Sequence, residues 1–274
     1  MQRIPANIYS ALNEPFVLTD EQKQFFAKNG FIKIKNVFSK EVIDFMDAEI
    51  SNEVNRLNKQ HLAIEDRDTY GKAFLQVMNI WRNSELVKEI VFGKRLAKIA
   101  TELLGVSGVR LYHDQALYKE PSGGHTPWHA DQYYWSISTD RTVTAWIPLQ
   151  ATPLHLGPLE FCAQSFQLTE GRDKQISDES ESFLAKTLSN SGFEHVVEAF
   201  DLGEISFHMG WLYHRAGPNL SQQMRKVMTM IYMDKESTLQ APKNHNQQAD
   251  WDTWCPGAKI GKVINTVLNP ILFQ

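Results

Sequence analysis

The chain has 274 residues, 42% of them hydrophobic and 22% charged, which is the balance of an ordinary soluble globular protein with a sizeable core. A formal net charge of −4 supplies neither the basic surface that holds a nucleic acid nor one that binds a membrane. The only two cysteines, Cys162 and Cys255, lie outside any CxxC pair, which excludes a disulfide framework and the common zinc and redox motifs. Met1–Asn7 carries no apolar leader and no run is long enough to span a bilayer, so the expectation is a cytoplasmic protein whose partner is a small molecule.

In chain order, Thr19-Asp20-Glu21-Gln22 opens a helix with Thr19 as N-cap, and Gly30 closes it. Phe31–Lys35 alternates as a short strand. Ser39 then caps a longer helix to about Lys59, with Val42, Ile43, Phe45, Met46, Ile50 and Val54 on one side. A third helix is predicted from about Ser84 to Leu104, ended by Gly105. From Val106 the pattern changes to strands separated by Gly and Pro: Val109–Lys119, Thr142–Gln150, Gly203–Met209 and Arg225–Asp234. Val227–Met233 is apolar on nearly both faces, as a central strand should be. The polar, acidic stretch from about Thr169 to Ser191 reads as a long mobile insert. Helices first and strands after give an α+β chain in one domain, 1–274. Its helical part covers about 1–105, buttressing a β-barrel or sandwich at about 106–235, and residues 236–274 form a C-terminal extension.

The chemistry concentrates in Thr126-Pro127-Trp128-His129-Ala130-Asp131-Gln132. On a strand, residues two apart share a face, so His129 and Asp131 offer an imidazole nitrogen and a carboxylate oxygen side by side. His214, 83 positions beyond Asp131, can add a second imidazole. Two histidines and one carboxylate are the ligand set of non-haem Fe(II) and leave coordination positions open for a co-substrate and O2. Arg225 follows His214 by 11 residues across the turn Gly217-Pro218-Asn219, so an antiparallel return brings its guanidinium fork back beside the histidine. That fork suits a bidentate grip on the far carboxylate of a 2-oxo acid.

These segments resemble the phytanoyl-CoA dioxygenase family of Fe(II)/2-oxoglutarate oxygenases. The resemblance rests on Thr126–Trp135, on Trp146-Ile147-Pro148-Leu149, on Gly203–His214 and on Asn219–Arg225, and covers roughly residues 20 to 235. It implies a double-stranded β-helix (jelly-roll, cupin-like) core with the metal at its mouth. It also implies 2-oxoglutarate lying against Trp146 with its distal carboxylate on Arg225. The implied reaction hydroxylates an unactivated C–H bond with release of succinate and CO2. Two departures stand out: Ala216 replaces a serine that contacts the co-substrate in many members, and Leu156–Phe166 replaces their asparagine-glycine and proline-glycine-serine-histidine stretch. Asp131 keeps the position that halogenating relatives vacate for a halide, so halogenation is not expected.

Further residues are candidates for the pocket. Gln115, on one strand face with His113, is a candidate contact to co-substrate or substrate. His208 sits six before His214, so on an unbroken strand both would share a face; His125 precedes the HxD pair. Tyr133, Tyr134 and Trp135 follow Asp131 and are candidate walls of a substrate pocket. The insert is a candidate lid, since a reactive metal centre needs water excluded. The alternative to an enzyme is a non-redox, cupin-like binding module, which has no reason to keep Trp146 and Arg225 in register with the triad.

Overall fold

In a computed structural model that describes residues 3–274, the N-terminal part is helical as predicted. It comprises α1 (Ala6–Asn13), α2 (Asp20–Asn29), the short strand β1 (Phe31–Ile34) and α3 (Lys40–Leu57). Thr19 caps α2 reciprocally: its hydroxyl accepts from the Gln22 N–H, and the Gln22 side chain accepts from the Thr19 N–H. Gly30 ends α2 at φ +80°, a left-handed conformation that costs glycine little. A short helix, α4 (Thr69–Ala73), and β2 (Leu75–Met78) follow.

The single helix predicted over Ser84–Leu104 is in fact two, α5 (Glu85–Val91) and α6 (Lys94–Leu104). The break falls at Gly93, where α1 crosses: a Cβ there would lie 3.0 Å from the Leu12 carbonyl oxygen. The close approach is a long-range contact, which local periodicity does not register.

The strand-rich part supplies β3 (Val109–Tyr118), β4 (Thr126–His129), β5 (Thr142–Pro148) and β6 (Leu159–Cys162). After helix α7 (Asp178–Asn190) come β7 (His195–Val197), β8 (Ile205–Met209), β9 (His214–Ala216) and β10 (Val227–Asp234). The chain ends with helix α8 (His245–Trp254) and β11 (Ile271–Phe273). All pairings of these strands are antiparallel. The larger sheet runs β1-β8-β5-β10-β3-β11, with β2 also paired to β3, and the smaller runs β4-β9-β6-β7. This is the jelly-roll core.

Alternation along the strands sorts the two faces of the larger sheet. Val143, Ala145 and Ile147 of β5 and Met228, Met230 and Tyr232 of β10 join one hydrophobic core with Val42, Ile43, Met46 and Ile50 of α3. Burying each such aliphatic side chain contributes about 1.5–3 kcal/mol, which is what holds the helices to the sheet. The residues between them, Thr144, Trp146 and Thr229, face a cavity.

Two regions depart from expectation. The insert is not a structureless loop, because most of its second half is α7. Ser177 caps this helix reciprocally with Ser180, and Ser180, Leu184 and Leu188, four residues apart, are buried together. The C-terminal extension also joins the core: β11 pairs with the start of β3, and Gln247 of α8 donates to the Tyr133 carbonyl at 2.9 Å.

Candidate metal and co-substrate site

His129 is the last residue of β4, and His214, the first of β9, is its register partner. Asp131 has already left the strand and opens a short 3-10 turn to Tyr134, so the side-by-side placement arises from a strand end followed by a turn rather than from one continuous strand. The Nδ1 of His129 lies 2.7 Å from the Pro127 carbonyl and that of His214 lies 3.0 Å from the Leu212 carbonyl. A carbonyl only accepts, so each Nδ1 carries the proton and each Nε2 presents its lone pair. Asp131 Oδ1 stands 3.6 Å from His129 Nε2 and 3.8 Å from His214 Nε2. One ligand atom from each of the three residues lies within 4.8 Å of the others. Donor type, tautomer and convergence all fit a divalent metal.

The electrostatics agree. Burial works to raise the Asp131 pKa, but the surrounding imidazoles of His214, His129 and His208 hold it well below the usual carboxylate range. Burial, reinforced by the neighbouring His129 and His208, pushes His214 well below the usual imidazole value. An anionic carboxylate and a neutral imidazole are the forms that bind metal. The second carboxylate oxygen, Oδ2, accepts from the Thr144 hydroxyl at 3.0 Å and faces His208 Nε2 at 3.4 Å.

Arg225 bridges to Lys119 just before β10 and is only 1% exposed. One Nη donates to the Gly157 carbonyl at 2.6 Å, the guanidinium carbon sits 5.6 Å from the Trp146 ring centre, and Nε has no partner. Gly157 adopts φ +69°, and a Cβ on it would lie 2.3 Å from the Gly217 oxygen, so the departure at Leu156-Gly157-Pro158 builds the tight turn that meets Arg225. Among the described residues no carboxylate pairs with this cation, and burial pulls its pKa down to about 9. A buried, unpaired guanidinium with a free donor is costly to the empty protein and has the charge and geometry to receive an anion.

These groups open onto a single cavity of about 310 Å³. Gln115 lines it and accepts from Gln76 at 2.5 Å; His208, Tyr134 and Trp135 line it too. His125 is exposed and stands outside it, and Tyr133 is buried beside it with its hydroxyl 3.3 Å from Asn246 Nδ2, so neither takes the pocket place expected of it. Ala216 lines the cavity where a serine was expected, and its register partner Thr126 does as well.

The sequence reading missed other walls of the cavity. Tyr70 comes from α4, Gln76 from β2 and Phe74 from between them, and Asn246, Asp250 and Trp254 come from α8. Two tryptophans in a polar helix were the one local sign. It also missed Lys119, a fully buried ammonium that donates to the Gly124 and Gly217 carbonyls, both at 2.7 Å, and so ties the ends of the two sheets beside Arg225.

A jelly roll holding two imidazoles and a carboxylate beside an unpaired buried arginine defines a class, the Fe(II)- and 2-oxoglutarate-dependent oxygenases. The sequence profile described as Phytanoyl-CoA dioxygenase (PhyH) matches residues 26–227. The chain belongs to that family. It is 21% identical over 229 residues, 77% of each chain, to a protein named probable alpha-ketoglutarate-dependent hypophosphite dioxygenase from Stutzerimonas stutzeri. Two solved structures share the fold. The alpha-ketoglutarate-dependent carbocyclase SnoK of nogalamycin biosynthesis matches with TM-score 0.76 at 19% identity, over 94% of this chain and 99% of that one. The epimerase SnoN, in complex with Fe3+, alpha ketoglutarate and nogalamycin RO, matches with TM-score 0.74 at 20% identity, over 92% and 98%.

Proposed function

We propose that this protein hydroxylates an unactivated C–H bond of a small molecule, with His129, Asp131 and His214 holding Fe(II) and with Arg225 and Trp146 seating 2-oxoglutarate. The observation that carries the reading is the buried Arg225, unpaired and within reach of Trp146 in the cavity that the triad also enters. When bound, iron and 2-oxoglutarate together supply the oxidising power: O2 and 2-oxoglutarate are consumed, succinate and CO2 are released, one oxygen atom enters succinate and the other the product.

The chain's own residues do the positioning. The Pro127 and Leu212 carbonyls fix both imidazoles in the ligand tautomer, and Thr144 orients the Asp131 carboxylate. Arg225 neutralises the distal carboxylate of the co-substrate, and the Thr126 hydroxyl stands in for the serine replaced by Ala216. Asp131 denies a halide the place it would need. Tyr134, Trp135 and Trp254 wall the cavity against water where the C–H bond must lie.

The relatives named as a carbocyclase, an epimerase and a hypophosphite dioxygenase start from similar sites, so the product is tested directly. Turnover under isotopically labelled dioxygen should place one labelled atom in succinate and one in an alcohol product. Labelled succinate with a desaturated, cyclised or epimerised product would retain the site and discard hydroxylation. Unlabelled succinate, or none, would discard the oxygenase reading itself.

A further inference from the structure

The cavity wall away from Arg225 has a charge pattern of its own. Apart from Asp131, its one carboxylate is Asp250, and its one arginine or lysine is Arg225, already committed to the co-substrate end. Asp250 lies on α8 midway between Asn246 and Trp254, four residues from each, so the three share one helix face over the cavity. Tyr112 donates its hydroxyl hydrogen bond to Asp250 Oδ2, which leaves Oδ1 free. The Trp254 ring stands 5.5 Å from that of His113. Tyr134 lines the same cavity and is held by the Ile176 N–H, which donates to its hydroxyl at 2.9 Å.

We propose that the substrate is a small organic cation whose ammonium group is received by Asp250 and by the aromatic faces of Trp254 and Tyr134. The proposal rests on the oxygenase reading above and names the substrate class of that same site. Three arguments support it. Aromatic faces around one volume attract a cation, and an ammonium beside Asp250 would favour its ionised form, so together they prefer a cation to a neutral or an anionic group. His113 is fully buried and pushed down to about 4, so it adds no positive charge at neutral pH. Burial raises the Asp250 carboxyl to about 8 because no cation of the protein compensates it, and a bound ammonium would do so. An anionic substrate would find Arg225 taken and no other lysine or arginine on the wall.

The test is calorimetric titration of the anaerobic protein loaded with Fe(II) and 2-oxoglutarate, with loading checked by the visible charge-transfer band of the Fe(II)–2-oxo-acid chelate. The probes are choline, its uncharged carbon isostere neohexanol, and the anionic isostere tert-butylacetate. Choline should bind about tenfold more tightly than neohexanol, the size of a desolvated cation–π contact. Tert-butylacetate should bind least. Asp250→Asn, which keeps shape and a partner for Tyr112, should erase the preference, and Trp254→Leu should erase it independently. Equal binding of choline and neohexanol would overturn the proposal, as would a preference that survives in Asp250→Asn. If the band forms while the preference is absent, the cation inference falls alone. If the band fails to form, the oxygenase reading falls and takes this inference with it.

Discussion

Glu181 pairs with Arg215 at 2.9 Å, and its other oxygen accepts the backbone N–H of Trp128 at 2.7 Å. One carboxylate from α7 thereby holds the strand that ends in His129 and the strand that begins with His214. The Arg215 guanidinium also lies over the Trp128 ring and donates to Glu160 at 2.7 Å.

Of the two contacts that Glu181 makes, the backbone acceptor matters more. The ion pair is partly exposed, at 30% and 21% for the two side chains, and pairs of this kind contribute under about 1 kcal/mol. A part-buried N–H left without an acceptor costs about 1–3 kcal/mol. Glu181→Gln can still accept from Trp128 and should be nearly as stable as wild type, whereas Glu181→Ala should lose roughly the larger amount. Urea denaturation of both variants separates the two effects, and equal losses would place the energy in the ion pair.

Arg225, buried and without a carboxylate partner among the described residues, is a cost to the empty protein that a bound carboxylate would offset. Arg225→Ala should weaken 2-oxoglutarate binding by about 2–5 kcal/mol, the loss expected when a buried carboxylate is left unpaired. In wild type loaded with Fe(II) under anaerobic conditions, 2-oxoglutarate should raise the melting temperature as its concentration exceeds Kd, and in the variant that rise should vanish. A retained thermal shift would move the carboxylate's seat elsewhere in the cavity.

The buried face of α7 should behave as core rather than as loop. Leu184 is fully buried with Trp128, Cys162 and Tyr213, so Leu184→Ala should cost about 2–5 kcal/mol. A loss below about 1 kcal/mol by chemical denaturation would return the insert to the mobile loop its composition suggests.

Asp250 predicts a pH signature. Its folded pKa, about 8, is above its unfolded value near 3.8, so the folded state holds the proton through that window. Wild type therefore loses stability relative to Asp250→Asn as pH rises from 3.8 to about 8, and the difference levels off above the folded pKa. Paired denaturation curves across that range check the sign, and a difference that is flat or grows toward acid would contradict it.

What the sequence showed and hid follows the range of the interactions. The caps at Thr19 and Ser39 and the stop at Gly30 were legible because each is decided within four residues. The triad was legible because the HxD pair and His214 stand in order with the Trp146 and Arg225 segments, and each of these is a short local motif. The break at Gly93 was hidden because α1, some 80 positions earlier in the chain, sets it. The cavity face of α8 was hidden for the same reason, since only the meeting of Asp250 with Tyr112 and of Gln247 with the Tyr133 carbonyl shows which side of that polar helix turns inward. Lys119 drew no reading beyond the end of a strand, and only the Gly124 and Gly217 carbonyls converging on it explain its burial.

The most direct test of the account is an anaerobic titration of the apoprotein with Fe(II) in the presence of 2-oxoglutarate, comparing wild type with Asp131→Ala and His214→Ala and following the visible charge-transfer band of the chelate. Wild type should develop the band to saturation at one iron per chain, and both variants should show little or none while keeping the far-ultraviolet circular dichroism of the folded protein. A band of wild-type strength in either variant would contradict the assignment of His129, Asp131 and His214 as the iron site.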